Sequence, residues 1–461
     1  MSTATTTQLD QQTADGSIQL SNSAPSSPPP ELEPPPPTER RRRHDKLTYL
    51  RLASSGLSFF VAGVNDGSLG ALVPYVIRDY GINTAIVSSV YGANFFGWFA
   101  VALINTHLCQ ILDLGAMLLV GALLQVAAHA LRAWKPPFPL LVVTFFLVSL
   151  GQAFQDTHAN TFVASQRNAH RWLAFIHAMY SAGCLVGPFV ATAVASAGQY
   201  SHWPLFYTFP LGLGILNTVL VYVSFSETVA LKKQVSEEIR MGTLATEQPE
   251  AHAEASKNDN ALRLIKETLS SRSVWLLSLF FFFFLGAALT AGGWVVEYLV
   301  MVRHGELSQM GYVPAGFNGG TLLGRLLLPE PTHRFGPRRV IFGCAILAIG
   351  LQLLFWLVPN IVAASIAISL LGFSMGPYFP VGIDLGSKLF SPRIRSTALS
   401  FIFVFAQLGG CVFPVVTGLI AAHAGVAVLQ PILCGLLAAT AISWLFVPRP
   451  KDTDNTSLHR E

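Results

Sequence analysis

Between residues 53 and 447 the chain is cut into twelve apolar blocks, at about 53–77, 85–106, 110–132, 139–163, 172–196, 204–225, 273–300, 308–328, 338–357, 361–386, 396–421 and 427–447. A hydrocarbon core of about 30 Å takes about 20 helical residues, so each block is long enough to cross one. Backbone groups in lipid must be satisfied within the segment, and the blocks lack strand-like alternation, so helices are predicted throughout. The polar stretch from Ser226 to Arg272 divides them six and six. The expected fold class is an all-α membrane protein with twelve transmembrane helices in two six-helix halves, residues 51–227 and 273–448. Flanking them are a cytosolic tail over 1–50, a linker loop over 228–272 and a second tail over 449–461.

Composition supports the same class: 12% of residues are charged, about half the share found in soluble domains. The net charge of +4 sits on the loops between blocks, so no nucleic-acid partner is expected. Cys109, Cys184, Cys344, Cys411 and Cys434 all lie in apolar segments without CxxC or Cys/His spacing, and they read as small core residues rather than metal ligands. With no HExxH, nucleophile elbow or clustered His/Asp set in the blocks, neither an enzyme nor a cofactor is expected.

Residues 1 to about 45 are rich in Ser, Thr, Gln and Pro, including Ser26–Pro30 and Pro34–Pro37, and are expected to be disordered with local polyproline II character. This stretch lacks the apolar core of a cleaved secretory signal, so the first transmembrane helix is expected to serve as the signal. Of the 29 Lys and Arg residues, only Arg78, Arg132, Lys135 and Arg303 fall on the side opposite the N-terminus, which predicts both termini in the cytosol. The triplet Asn455-Thr456-Ser457 would then be cytosolic and unglycosylated. In the central loop, Leu262, Ile265 and Leu269 recur at helical spacing opposite Arg263 and Lys266, which fits either a short interfacial helix or a solvated linker.

Against this apolar background, polar chemistry enters the fourth block at Gly151–Thr161, GQAFQDTHANT. Gln152, Asp156 and Asn160 recur every four residues and form one stripe. A charged side chain at the bilayer centre costs about 2.5–3.5 kcal/mol on insertion scales, so such an acid is expected to face a cavity on an ion or substrate path. The first block carries Asn65 and Asp66 among Gly63, Gly67 and Gly70, which predicts a helix weakened or interrupted beside an acid. The tenth block, Gly372–Gly386, holds Gly376, Pro377, Tyr378, Pro380 and Gly382 and predicts a broken or bending gate helix.

Other polar side chains share helical faces: Tyr91, Asn94 and Trp98; His177, Tyr180 and Cys184; Thr290, Trp294 and Glu297. Asn318 and Gln407 stand alone in their blocks. Singly, each fits packing against a neighbour. As a set with Tyr378 they would line a cavity with aromatic platforms and amide or hydroxyl partners, as a polar organic solute requires. Trp294 also fits an interfacial anchor. His158, two residues past Asp156, points to another face and fits a structural role better than a proton relay. The pairs Gly183/Gly187, Gly316/Gly320, Gly320/Gly324 and Gly372/Gly376 predict close helix packing.

Twelve spans split six and six, with cytosolic termini, resemble the major facilitator superfamily. Gly324-Arg325 followed by His333-Arg334-Phe335-Gly336-Pro337-Arg338-Arg339 is similar to that superfamily's D-R-x-G-R-R signature, with His at the Asp position. The equivalent loop of the first half, Thr106–Gly115, keeps the Gly but lacks the basic residues and holds Asp113 one place out of register. The likeness implies a gating role for Arg325, Arg334, Arg338 and Arg339, alongside Pro377 and Pro380. Gly183-x-x-x-Gly187-Pro188 is similar to a motif of drug-type antiporters and of other branches.

More specifically, Asn65-Asp66 and Asp156-Thr157-His158-Ala159-Asn160 resemble the fucose permease branch, and Gly311–Arg339 with Gly372–Pro380 resembles a fungal group of that branch named for bypass of stop codons. The resemblance implies sugar binding and proton coupling at Asp66 and Asp156. Where relatives often carry an acid in span seven, this chain has Ala288, with Glu297 nine residues on.

The expected function is therefore a secondary active transporter of a small polar, sugar-like solute, working by alternating access and coupled to protons. Burial disfavours the charged form of a carboxylic acid, so Asp156 is expected to carry the coupling proton while Asp66 shares it or binds solute. The expected substrate contacts are Asn65, Asp66, Asn94, Gln152, Asn160, His177, Trp294, Asn318 and Tyr378. Partners are the solute, the proton and the lipid bilayer, with a monomer expected in the plasma membrane or a vacuolar or other endomembrane. Proton-driven export of a fungal metabolite and a non-transporting solute sensor are the alternatives.

Overall fold

The computed structural model describes residues 37–198, 201–229, 263–391 and 393–448. Among these residues there is no β-strand, and thirteen helices of 12 residues or more carry the fold. The first six spans are α1 Pro37–Tyr80, α2 Ser89–Ile111, α3 Leu114–Arg132, α4 Phe138–Ala164, α5 Ala169–Ala195 and α6 Thr208–Phe225. The remaining helices are α7 Arg272–Met301, α8 Val313–Leu327, α9 Pro337–Leu357, α10 Ile361–Met375, α11 Tyr378–Leu389, α12 Arg395–Ala424 and α13 Leu429–Phe446. The last seven make six spans, because α10 and α11 are two parts of the tenth, with a break at Gly376–Pro377 where a bending helix is expected. Pro377 has no backbone N–H to continue the helix.

Eleven of the twelve stretches are both long and apolar enough to cross a bilayer. The exception is α8, with 15 residues where the sequence predicts a span over 308–328. Its start is set by Pro314 in the first turn and its last turn carries Arg325, after which Pro329 opens the separate helix Pro329–Phe335. At about 1.5 Å per residue α8 is some 22 Å long.

A second departure concerns α1, which is a single helix through Gly63, Gly67, Gly70 and Pro74 rather than an interrupted one. The glycines serve packing. A methyl group on Gly63 would sit 2.0 Å from the Tyr180 carbonyl oxygen of α5, and one on Gly183 would sit 2.1 Å from that of Phe60. Backbones in this contact approach closer than any side chain permits. The helix also begins at Pro37, inside the stretch to residue 50 that composition assigns to the tail.

Within the first six spans α4 packs on α2 and α3, and α3 on α6; in the last six α7 packs on α12 and α13, and α8 and α9 on α10. Across the middle, α5 lies against α8 and α2 against α12. Buried polar pairs tie neighbouring helices in the absence of water: Ser58 Oγ donates to Asn217 Oδ1 at 2.9 Å, Gln125 Nε2 to Gln155 Oε1 at 2.8 Å, and Gln352 Nε2 to Gln430 Oε1 at 2.5 Å.

Charged pairs mark the two ends of the bundle. At one end Arg78 of α1 meets Glu297 of α7 at 3.3 Å, and Asp79 accepts from Lys135 and Trp203, each at 2.8 Å. Thr84 Oγ1 donates to the Gly418 carbonyl at 2.8 Å beside them, again joining the first six spans to the last six. At the opposite end Arg51 pairs with Glu227 at 3.0 Å and Arg393 with Glu267 at 3.7 Å, neither of which joins the two sets of spans. Residues 263–270 are helical; they bury Thr268 and expose Ile265 and Leu269 on one face, whereas Leu262 lies outside the described residues. Residues 1–36, most of the central linker, and the second tail with Asn455 also lie outside them.

Candidate functional site

A cavity of about 250 Å³ lies among α1, α2, α4, α5, α7, α8, α10, α11 and α12. Apolar and aromatic side chains such as Phe145, Phe284, Phe317 and Phe379 make up much of its wall. Its polar groups are unevenly placed: Asp66, Asn94, Gln152, Asp156, His177 and Tyr180 come from the first six spans, while the last six supply Asn318, Thr321, Arg325 and Gln407.

Asp66 is the best-connected acid. Its Oδ1 accepts from Asn65 Nδ2 at 2.9 Å and from Gln152 Nε2 at 3.1 Å, and its Oδ2 accepts from the Tyr180 hydroxyl at 2.9 Å. One carboxylate thus ties α1 to α4 and α5. Gln152 also donates to the Ala62 carbonyl at 3.3 Å, which fixes its amide against α1. Asn94 faces the cavity and accepts from Ser149 Oγ at 2.7 Å.

Asp156, one turn beyond Gln152, lines the same cavity and makes no side-chain hydrogen bond or ion pair among the described residues. The polar stripe therefore delivers two of its three members, since Asn160, one turn further, does not line the cavity. His158 turns away from Asp156, with its Nε2 2.9 Å from Asn105 Oδ1 of α2 and 3.9 Å from Cys109 Sγ.

Among the other expected contacts, His177 sits edge-on to Phe59 with ring centroids 5.3 Å apart and lines the cavity. Asn318 also lines it, and its amide donates to the Cys184 carbonyl at 3.0 Å. Trp294 and Tyr378 are not brought to the cavity. The Trp294 indole is fully buried and donates to the Pro414 carbonyl at 3.1 Å, and Tyr378 packs between Phe280 and Phe284 while its neighbour Phe379 faces inward.

The residues expected to gate also separate. Arg325 lines the cavity and donates from Nη1 to Ser181 Oγ at 2.7 Å, joining α8 to α5. Arg338 caps the carbonyls of Leu445 and Val447 at the end of α13, while Arg334 and Arg339 are exposed. The side chain of His333 lies outside those described. Pro377 occupies the break between α10 and α11, and Pro380 lies in the first turn of α11.

The residue that sequence patterning misplaced is Arg132. Counted with the loop cations, it is instead fully buried. Its Nε donates to Thr144 Oγ1 and its Nη1 to Asn65 Oδ1, each at 2.8 Å, and the guanidinium lies 3.8 Å over the Phe145 ring. It terminates α3, so it looks like a boundary cation, yet Gln125, His129 and Arg132 fall on one helical face and all are buried. That face was the available signal. Ser149 was likewise missed, while Tyr180, expected as a cavity-lining group, is in addition a direct partner of Asp66.

With the geometry in hand, the chain matches the family model described as "Major Facilitator Superfamily" over residues 56–380 and 304–461. The protein belongs to the major facilitator superfamily. Among curated proteins this facilitator is similar to bypass of stop codon protein 6 of Saccharomyces cerevisiae, with 25% identity over 422 residues that cover 87% of this chain and 83% of the yeast protein. Among solved structures it is similar to a bacterial homologue of the human lysosomal transporter Spinster in an inward-facing, unoccupied conformation, with a TM-score of 0.64, 14% identity, and coverage of 87% of this chain and 95% of that one. It is also similar to the E. coli fucose:proton symporter, with a TM-score of 0.58, 19% identity, and coverage of 86% and 98%. At these identities the two structures speak to fold alone. The facilitator is thus a multi-pass membrane transporter rather than an enzyme, and its substrate lies beyond what family membership gives.

Proposed function

We propose that the protein is a proton-coupled secondary transporter of a small polar organic solute. The first six spans (51–227) and the last six (273–448) rock about the central cavity. The observation that carries this is Asp156, a carboxyl group facing the cavity without a hydrogen-bond or ion-pair partner among the described residues, in a helix that crosses the membrane. An unpaired acid in such a place is free to exchange a proton with the aqueous path. Carrying it neutral lets the loaded protein reorient with less charge to move through a low-dielectric layer.

Asp66 has a different task. Already held by three donors, it is the rigid acceptor that positions Gln152 and Tyr180 toward solute hydroxyls, with Asn94, His177 and Asn318 as further contacts. Asn160, Trp294 and Tyr378 act behind the site. The ion pair Arg78–Glu297 and the Thr84–Gly418 hydrogen bond join the two sets of spans at one end, whereas no ion pair among the described residues joins them at the other. This supports a conformation closed there and opening toward the end that holds Arg51 and Arg338. The basic loops support placing that open end, and both termini, in the cytosol. The protein acts as a monomer in the plasma membrane or an endomembrane.

The test is uptake driven by a pH gradient in proteoliposomes. Asp156→Asn is expected to abolish the response to the gradient while leaving solute exchange at equal pH. Unchanged proton coupling in that variant would overturn the assignment. Reversal of the gradient separates uptake from proton-driven export.

A further inference from the structure

We propose that Arg325 is an anion-binding group of the central cavity and that the transported solute is a small hydroxylated organic monocarboxylate. This rests on the proposed proton-coupled transport and names the charge class of its substrate. Arg325 projects into the cavity from the last turn of α8. That turn is held in place, because a methyl group on Gly324 would sit 2.1 Å from the Phe373 carbonyl oxygen of α10.

Of the guanidinium donors, Nη1 is engaged by a neutral hydroxyl, Ser181 Oγ, while Nε is buried with no partner. No carboxylate lies within ion-pair distance of Arg325 among the described residues. A lock between helices would pair this cation with an acid. Instead Nη2, which is not enclosed as Nε is and makes no hydrogen bond or ion pair among the described residues, is the guanidinium donor left for the space a solute occupies. Guanidinium forks match carboxylates two donors to two acceptors.

The charges of the site point the same way. Its ordinarily ionisable groups are Asp66, Asp156, His177 and Arg325, with Tyr91, Tyr180, Cys184 and Cys411 beside them. Asp66 is balanced within the first six spans, where Arg132 binds the other side of Asn65. When Asp156 carries the proton, Arg325 is the charge left over, and a buried ion without a partner is costly. A monocarboxylate cancels it, so the loaded cavity is neutral. A neutral sugar leaves the cation unpaired, and an ammonium compound adds to it. Asn318, Gln407 and the Tyr180 hydroxyl line the same cavity as Arg325 and suit hydroxyl groups on the solute.

The experiment uses the full-length protein in proteoliposomes under an acid-outside gradient, with labelled probes on one six-carbon skeleton: gluconate, glucitol, glucosamine and glucose 6-phosphate. Gluconate uptake is expected to exceed that of the other probes. Arg325→Gln is expected to raise its KM roughly 10- to 100-fold, the loss of a hydrogen bond to a charged group. Arg325→Lys, which keeps the charge and loses the fork, is expected to fall between, and it supplies the answer if the Gln variant does not fold. Preference for glucitol or glucosamine, or an unchanged KM in both Arg325 variants, would overturn the carboxylate while leaving proton-coupled transport standing. Preference for glucose 6-phosphate would overturn the monoanion. Failure of all four probes to move or bind would overturn the proposed substrate class while leaving transport, which rests on the family, standing.

Discussion

Arg132 Nη1 donates to Asn65 Oδ1 at 2.8 Å, and the same amide donates from Nδ2 to Asp66 at 2.9 Å. A cation at the end of α3 therefore decides which way the Asn65 amide faces, and through it how the cavity acid of α1 is held. Removing the cation strands Asn65 Oδ1 and leaves Asp66 without its balancing charge. Breaking a buried charge system from one side costs about 3–5 kcal/mol. Arg132→Met is expected to show that loss in thermal unfolding of the purified protein. Arg132→Lys, with the charge but not the fork, should recover part of it. Equal stability of the Met variant and the parent would remove Arg132 from the site.

The pair Arg78–Glu297 is asymmetric: Arg78 is 39% exposed and Glu297 is 5% exposed. Arg78→Ala leaves a buried carboxylate unpaired, whereas Glu297→Gln leaves an exposed cation that water can solvate. The Ala variant is expected to be the more destabilised, and adding Glu297→Gln to it should restore part of the loss in a double-mutant cycle. Both should increase labelling of the cavity cysteines Cys184 and Cys411 by an impermeant thiol reagent from the Arg78 side. Labelling that stays at the parental rate would mean this pair does not hold that end closed.

The glycines divide by what surrounds them. Gly63→Ala forces a methyl group to 2.0 Å from the Tyr180 carbonyl oxygen, whereas Gly435, within α13, has nothing within 4 Å. Overpacking of the first kind costs about 1–3 kcal/mol. Alanine in an open helical position is worth roughly 0.5–1 kcal/mol over glycine. Melting temperatures of the two variants should therefore move in opposite directions. A neutral Gly63→Ala would show that α1 and α5 have room to separate.

Pro377 breaks the tenth span two residues before Phe379, which faces the cavity. Pro377→Ala restores a backbone donor and lets α10 continue into α11. The expected result is little change in solute affinity and a lower maximal rate, because the bend that a gate needs becomes harder to form. A parental rate in this variant would assign the proline to packing alone.

Much of the fold was legible because the bilayer imposes a length and a composition on each span. Twelve blocks, the break at Gly376–Pro377 and a close backbone approach at Gly183 follow from hydropathy, a missing donor and small side chains. The errors have physical causes as well. Gly63, Gly67 and Gly70 signal backbone freedom and close packing alike, and only the presence of α5 and α7 against α1 selects packing. The fifteen-residue α8 is short because Pro314 and Arg325 bound it, although apolar residues continue beyond.

For the site, linear spacing found the acids and several polar neighbours but not which groups pair across helices. Asp66, Gln152 and Asp156 were visible as polar groups in greasy helices, whereas Tyr180 and Arg132 reach them from helices remote in sequence. Asn160 and Trp294 share helices with residues of the cavity and still do not line it.

What the sequence by itself determined is that this chain crosses a membrane many times and carries acids where only a cavity makes them tolerable. The cost of polar groups in lipid is paid residue by residue, so it is written locally. Tertiary structure alone decided that Asp66 is saturated while Asp156 is open, and that Arg132 is buried while Arg325 faces the cavity. Those outcomes depend on which donors and acceptors separate helices bring within hydrogen-bond distance of one another, and no single helix carries that information.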